Sequence, residues 1–168
     1  MKKYLALYVL LFSFFGFAQD ETKAIQNLID VEVWKPFKKA FETLDGAALN
    51  ATYADKVLRV TPNGIDTKNS FKTKNLERFI QNRKDGVAIT LDFWFDSRHT
   101  NTEASYEVGF YRIGFKKNNE TSYSYGQFHI VLKKRDGHWK ITQDWDTNKI
   151  NGQMISEKDF SKKAPLKF

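Results

Sequence analysis

The sequence contains no cysteine. Disulfide stapling, thiol catalysis, cysteine-based metal binding, haem attachment and acylation of an N-terminal cysteine are thereby excluded. Histidine is nearly as scarce, with His99, His129 and His138 the three present. Their spacing matches no recognised ligand pattern, so no metal is expected. A Gly-rich phosphate loop, a Gly-x-Ser-x-Gly elbow and any Ser/His/Asp spacing are missing too, and no cofactor is expected. Basic residues outnumber acids, 27 to 20, for a formal net charge of +7. They are scattered in short clusters, Lys116-Lys117, Lys133-Lys134-Arg135 and Lys162-Lys163, which read as solvated turns. Nucleic-acid binding requires a denser basic stripe than this.

The longest apolar run, Tyr4 to Phe15, is too short for a bilayer-spanning helix, which needs about 20 residues. Lys2 and Lys3 precede it, and Gly16-Phe17-Ala18 follows with small residues suited to cleavage. Residues 1–18 therefore read as a secretory signal. The expectation is an exported protein, periplasmic or extracellular, with no membrane insertion after cleavage. The mature chain then begins at Gln19. Residues 19–150 read as one domain, and residues 151–168 as a C-terminal extension, partly disordered. A chain of this size buries about 68–70% of its surface without covalent staples. Abundant aromatics supply the packing: 15 Phe, 7 Tyr and 4 Trp.

Asp20 to Ala40 has helical periodicity, through Ile25, Leu28, Ile29, Val33 and Phe37. Pro36 either kinks this helix or sits in the first turn of another. Asp45 is placed to cap a short third segment. Val57 to Pro62 alternates as a strand, residues 66–74 look like loop, and Asn75 to Lys84 is helical before the Asp85-Gly86 stop. From Val87 the period becomes 2. Ile89, Leu91, Phe93 and Phe95 form one face; Ala104, Tyr106, Val108 and Phe110 form the corresponding face of the next strand. Helices followed by long antiparallel strands give an α+β fold.

Asp136-Gly137 is a strong hairpin signal, because a type I′ turn needs positive φ at both positions. That turn puts Leu132 opposite Ile141, Ile130 opposite Gln143 and Phe128 opposite Trp145 on an apolar face. The other face pairs His129 with Asp144 and Gln127 with Asp146. Strand alternation then points the apolar set inward and both aspartates outward. A bulge between Gly126 and Phe128 would turn Asp146 but not Asp144.

Gly137, Trp139, Ile141 and Asp144 resemble the closing hairpin of the NTF2-like superfamily, in particular its SnoaL-like and DUF4440-type branch. Trp34, Phe37, Asp45-Gly46, Leu49 and Tyr53-Ala54-Asp55-Lys56-Val57 resemble its opening helices and first strand. The similarity spans roughly residues 22–149. It implies a cystatin-like cone: N-terminal helices packed on a strongly curved, mostly antiparallel sheet, enclosing an apolar pocket. Candidate lining residues are Trp34, Phe37, Tyr53 and Phe93, together with Tyr106, Phe128, Gln143 and Trp145. Gln143 on this face must find a polar partner or orient a ligand.

Relatives such as ketosteroid isomerase and polyketide cyclases use an Asp or His base inside the cone. Asp144, His129 and Asp146 are the candidate acid–base groups here, but the regular register turns all three outward. The leading expectation is therefore a non-catalytic protein that binds a small apolar molecule. The alternatives are an isomerase, dehydratase or cyclase using a buried carboxylate, and an accessory domain whose sheet face binds another protein. Trp94, Tyr111, Tyr123, Tyr125 and His129 cluster on the presumptive outer face. With the resemblance, they suggest a homodimer through it.

Overall fold

The computed structural model describes residues 20–168; the signal expected over residues 1–18 lies outside the described residues. Helix α1 covers residues 20–42 of these and passes through a π-helical stretch, Asp30–Trp34. The widened turn explains how Pro36 is tolerated. The Lys35 N–H reaches back to the Asp30 carbonyl, so the ladder is already displaced where proline cannot donate. Ile29, Val33 and Ala40 of this helix are buried. Asp45 caps α2 (Gly46–Ala51), its carboxylate accepting from the Ala48 N–H at 2.9 Å.

Strands β1 (Tyr53–Thr61) and β2 (Gly64–Asp66) form a hairpin, followed by α3 (Ser70–Lys84). The helix starts earlier than its apolar period showed. The Asp66 carboxylate accepts from the Ser70 hydroxyl and the Phe71 N–H, each at 2.7 Å, and so organises a polar first turn. Strands β3 (Ala88–Thr100), β4 (Ala104–Lys117), β5 (Glu120–Arg135) and β6 (His138–Thr147) complete a six-stranded sheet in the order β2-β1-β6-β5-β4-β3. Every neighbouring pair is antiparallel except β1 with β6. Asp136 and Gly137 both have positive φ (51° and 83°), as the type I′ turn requires.

The register differs from the regular expectation at one residue. Leu132 does face Ile141, but Val131 faces Gln143, which leaves Thr142 as an extra residue in β6. Its hydroxyl donates to the Val131 carbonyl at 3.1 Å. A bulge reverses the facing of everything beyond it. Ile130 therefore lies opposite Asp144, His129 opposite Trp145, and Phe128 opposite Asp146. Both aspartates turn inward, while Gln143 and Trp145 turn outward.

Strand β4 also runs in the opposite sense to its expected facing. Ser105 and Glu107 are buried within the fold, whereas Tyr106 is exposed. The Glu107 carboxylate is fully enclosed but satisfied. It accepts from the Trp34 indole at 2.7 Å, Arg98 at 2.9 Å and the Ser105 hydroxyl at 2.9 Å. Arg98 also pairs with Asp30 at 2.8 Å, tying α1 to the sheet. An acid so partnered occupies a position that polarity alone assigns to solvent.

The main core lies between the helices and the concave face of the sheet. Trp34 is its hub, with ring centroids 5.3 Å from Phe93, 5.3 Å from Phe95 and 5.5 Å from Phe128. Gly109 and Gly126 make room for these rings. A Cβ at Gly109 would stand 2.5 Å from Phe128, and one at Gly126 would stand 2.3 Å from the Tyr111 phenol. On the convex face, Trp94 stacks on Phe110 at 4.6 Å beneath Ile155 and Phe160. Ile155 and Phe160 belong to the C-terminal extension, which follows β7 (Lys149–Ile150) and contains β8 (Gln153–Met154) and α4 (Glu157–Phe160). Residues 163–166 run along the edge of β3. The Leu166 N–H donates to the Phe93 carbonyl at 2.9 Å, and Lys163 pairs with Asp96 at 2.9 Å. Lys38 and Glu42 of α1 engage the Leu91 carbonyl and N–H on the same edge.

Candidate functional site

The bulge at Thr142 and the curvature of the sheet bring Asp144 and Asp146 to a cavity of about 170 Å³. Its walls are mostly aromatic and aliphatic, with Trp34, Phe37, Phe41, Phe93, Phe128 and Ile130 among them. The polar groups gather on one side. They are Tyr53 and Arg59 of β1, Asp144 and Asp146 of β6, Tyr111 of β4, and Asn75 and Arg78 of α3.

Arg59 lies directly beside Asp144 in the β1–β6 ladder. Its guanidinium stands 3.6 Å from Asp144 and 3.4 Å from Asp146, so one cation serves two carboxylates. The Tyr53 hydroxyl donates to Asp144 at 2.8 Å. Burial, reinforced by the adjacent charge of Asp144, pushes the Tyr53 phenol well above its ordinary range. It stays protonated and remains a donor. Asp144 is nearly enclosed, with 8% of its side chain exposed, against 21% for Asp146.

Asp146 is the more exposed carboxylate of the pair. Burial raises its proton affinity, the charge of Asp144 raises it further, and Arg59 opposes both. An accessible carboxylate with a raised pKa beside a charge-saturated one is a competent proton acceptor. Tyr111 lines the same cavity, and its hydroxyl has no hydrogen-bond partner among the described residues. Burial, with Asp146 and Asp144 close by, holds that phenol protonated. It is available to donate to a substrate oxygen.

Of the lining residues expected from the sequence, Trp34, Phe37, Tyr53, Phe93 and Phe128 reach the cavity. Tyr106, Gln143 and Trp145 do not. The β4 facing places Tyr106 on the convex side, and the Thr142 bulge places Gln143 and Trp145 there. His129 also lies on that side. Its Nδ1 meets the Tyr106 hydroxyl, and its ring packs 4.5 Å from Trp145, so the expected pairing with Asp144 does not form. Two residues expected on the outer surface are not free there: Tyr111 faces the cavity, and Trp94 lies beneath α4. Tyr125 packs against that same covered cluster, leaving Tyr123 exposed. Arg59 and Arg78 were not singled out by sequence reasoning. An arginine between Leu58 and Val60 was the available signal, because a charged residue inside a strand needs a partner on its own face.

No family model and no curated relative matches the chain. Solved structures do match it. It is similar to a conserved protein from Planctomyces limnophilus DSM 3776, with TM-score 0.61 and 18% identity over 74% of this chain and 96% of that one. It is similar to an NTF-2 like protein of unknown function from Shewanella oneidensis MR-1, with TM-score 0.52 and 20% identity over 70% and 94%. The chain has the NTF2-like fold. This NTF2-like chain is also similar to a ketosteroid isomerase-like protein from Erwinia carotovora atroseptica SCRI1043, with TM-score 0.53 and 15% identity over 72% and 93%. At these identities the likeness carries the fold, and the chemistry rests on the residues above.

Proposed function

We propose that this NTF2-like chain is a small-molecule enzyme of the isomerase or dehydratase kind. The observation that carries the reading is the extra residue Thr142, which turns Asp144 and Asp146 into an apolar cone. Asp146 acts as base, removing a proton from carbon next to a carbonyl. The Tyr111 hydroxyl donates to the oxygen on which negative charge develops. Asp144 is held by Tyr53 and Arg59, and its charge adds to the burial that raises the proton affinity of Asp146. The cavity lies below the roughly 300 Å³ of a typical drug-sized site, so the substrate is small. Its aromatic lining favours an apolar body.

The test is exchange of α-protons into D2O across a panel of small ketones, followed by NMR. General-base catalysis contributes about 10²–10⁴-fold, so Asp146→Asn should lower the rate by a factor in that range while leaving the fold intact. Undiminished exchange in the folded variant would end the enzymatic reading. The apolar lining also supports a second reading, passive binding of a small molecule; ligand capture without exchange in any panel member favours it.

Export is part of the proposal, supported by Lys2, Lys3, the apolar run and Gly16-Phe17-Ala18. So is a homodimer through the convex face, now supported by the exposed Tyr106, Tyr123 and Trp145. Cleavage after Ala18 is checked by mass spectrometry of the exported product, and the dimer by sedimentation at micromolar concentration. A monomer throughout would remove the second.

A further inference from the structure

A second depression, of about 410 Å³, opens beside the cone and shares Arg59, Asn75 and Arg78 with it. These three residues divide the inner cavity from an outer mouth formed by the β1–β2 hairpin and the first turns of α3. The mouth carries Arg59, Lys74 and Arg78, against Asp66 as the one acid among its lining residues. Asp66 is already committed. It accepts from the Ser70 hydroxyl and from the Phe71 and Lys68 N–H groups, within 2.8 Å in each case.

Arg78 is the unusual member. Its guanidinium lies over the rings of Phe79 and Phe41, 5.0 and 5.5 Å from their centroids, and donates to the Asn75 side-chain oxygen at 3.2 Å. No carboxylate pairs with it among the described residues, and none pairs with Lys74. Asn75 is buried and fixed by donating to Asn50 at 3.1 Å, so the arginine that lines the mouth is held from below. Burial, and then the like charge of Arg59, weakens its hold on its proton, the mark of a cation short of an anion. A planar fork of N–H groups seated on aromatic rings suits bidentate capture of an oxyanion.

We propose that this mouth is an anion subsite, in which Arg78, assisted by Lys74, holds the carboxylate or phosphoryl group of a small substrate whose apolar body enters the cone. The assignment rests on the cone being a small-molecule site, and it narrows the substrate class to organic anions. It also fixes polarity: the anionic end sits at the arginine rim, and the end to be deprotonated lies toward Asp146.

The test measures binding rather than turnover, so that its failure is separate from failure of the acid–base reading. Phenylacetate, phenyl phosphate and the neutral phenylacetamide are titrated into the wild-type chain by NMR at low and high salt. One anion should bind about tenfold or more tightly than the amide, equivalent to about 1.4 kcal/mol, and the preference should shrink with salt. Whether the acid or the phosphate binds better identifies the oxyanion. Arg78→Gln should bring the anions down to the affinity of the amide for the same variant, and Arg78→Lys should restore part of the preference. Equal binding of anions and amide, no binding of any probe, or an undiminished preference in folded Arg78→Gln overturns the subsite. None of these outcomes bears on whether Asp146 exchanges protons.

Discussion

Replacing Tyr53 by Phe deletes one buried oxygen and leaves the ring in place. That ring is anchored independently, with its centroid 5.0 Å from Phe71 and 6.2 Å from Phe37. What disappears is the 2.8 Å hydrogen bond to Asp144, whose side chain is only 8% exposed and whose other partner is Arg59 at 3.6 Å. Water has little access to replace the lost donor. A hydrogen bond to a charged group is worth about 1.5–3 kcal/mol, so Tyr53→Phe should destabilise by that amount. In a domain of this size each kcal/mol moves Tm by about 2–4 °C, giving a fall of about 3–12 °C. Urea unfolding followed by tryptophan fluorescence measures the change, with the denaturant slope unaltered if the native state stays compact. The partner assignment is tested by a cycle with Asp144→Ala. If Tyr53 acts through Asp144, the two losses overlap by about 1 kcal/mol or more. Losses that add within about 0.5 kcal/mol would place the hydroxyl and carboxylate in separate environments and refute the site geometry.

Two further predictions concern the same strand. Burial, with the charge of Asp144, raises Asp146 above its unfolded value of 3.8, so the native state holds that proton more tightly than the unfolded chain. Its stabilising contribution is present below that value and is lost as pH rises through the raised folded pKa. Asp146→Asn should therefore melt higher than wild type at about pH 7, with the gap closing below about pH 4; a gap of constant size across a pH series of melts counts against this. Deleting Thr142 should restore regular pairing and carry Trp145 inward. Trp145 is 37% exposed whereas the other three tryptophans are buried, so the emission should move to the blue; unmoved emission in a folded variant rejects the bulge as the determinant of facing.

The fold was legible because its signals are local. Asp136-Gly137 can hardly do anything but turn, Asp45 caps where expected, and the run from Ile89 to Phe95 alternates without interruption. The site was less legible, because it depends on parity, which is a running property of a strand. One extra residue at Thr142 is enough to reverse it, and a β-branched threonine fits a regular strand as well as a bulged one. In β4 both faces carry aromatics, so polarity pointed Ser105 and Glu107 outward. Burial of Glu107 depends on Arg98 and Trp34, and Trp34 lies far away in sequence. The glycines held a usable clue. Gly109 and Gly126 sit across from Phe128 and Tyr111 in the ladder, where a large ring folds over a residue with no side chain. That pattern assigns Tyr111 to the crowded concave side.

The strap that Leu166 and Lys163 form over β3 has a practical corollary. Leu166 occupies the Phe93 carbonyl beside the Leu91 groups that α1 already holds, so loss of the strap bares part of a strand edge, and a bare strand is a template for a second chain. A chain clipped ahead of Lys163 should therefore clump even though every residue of its cone is intact.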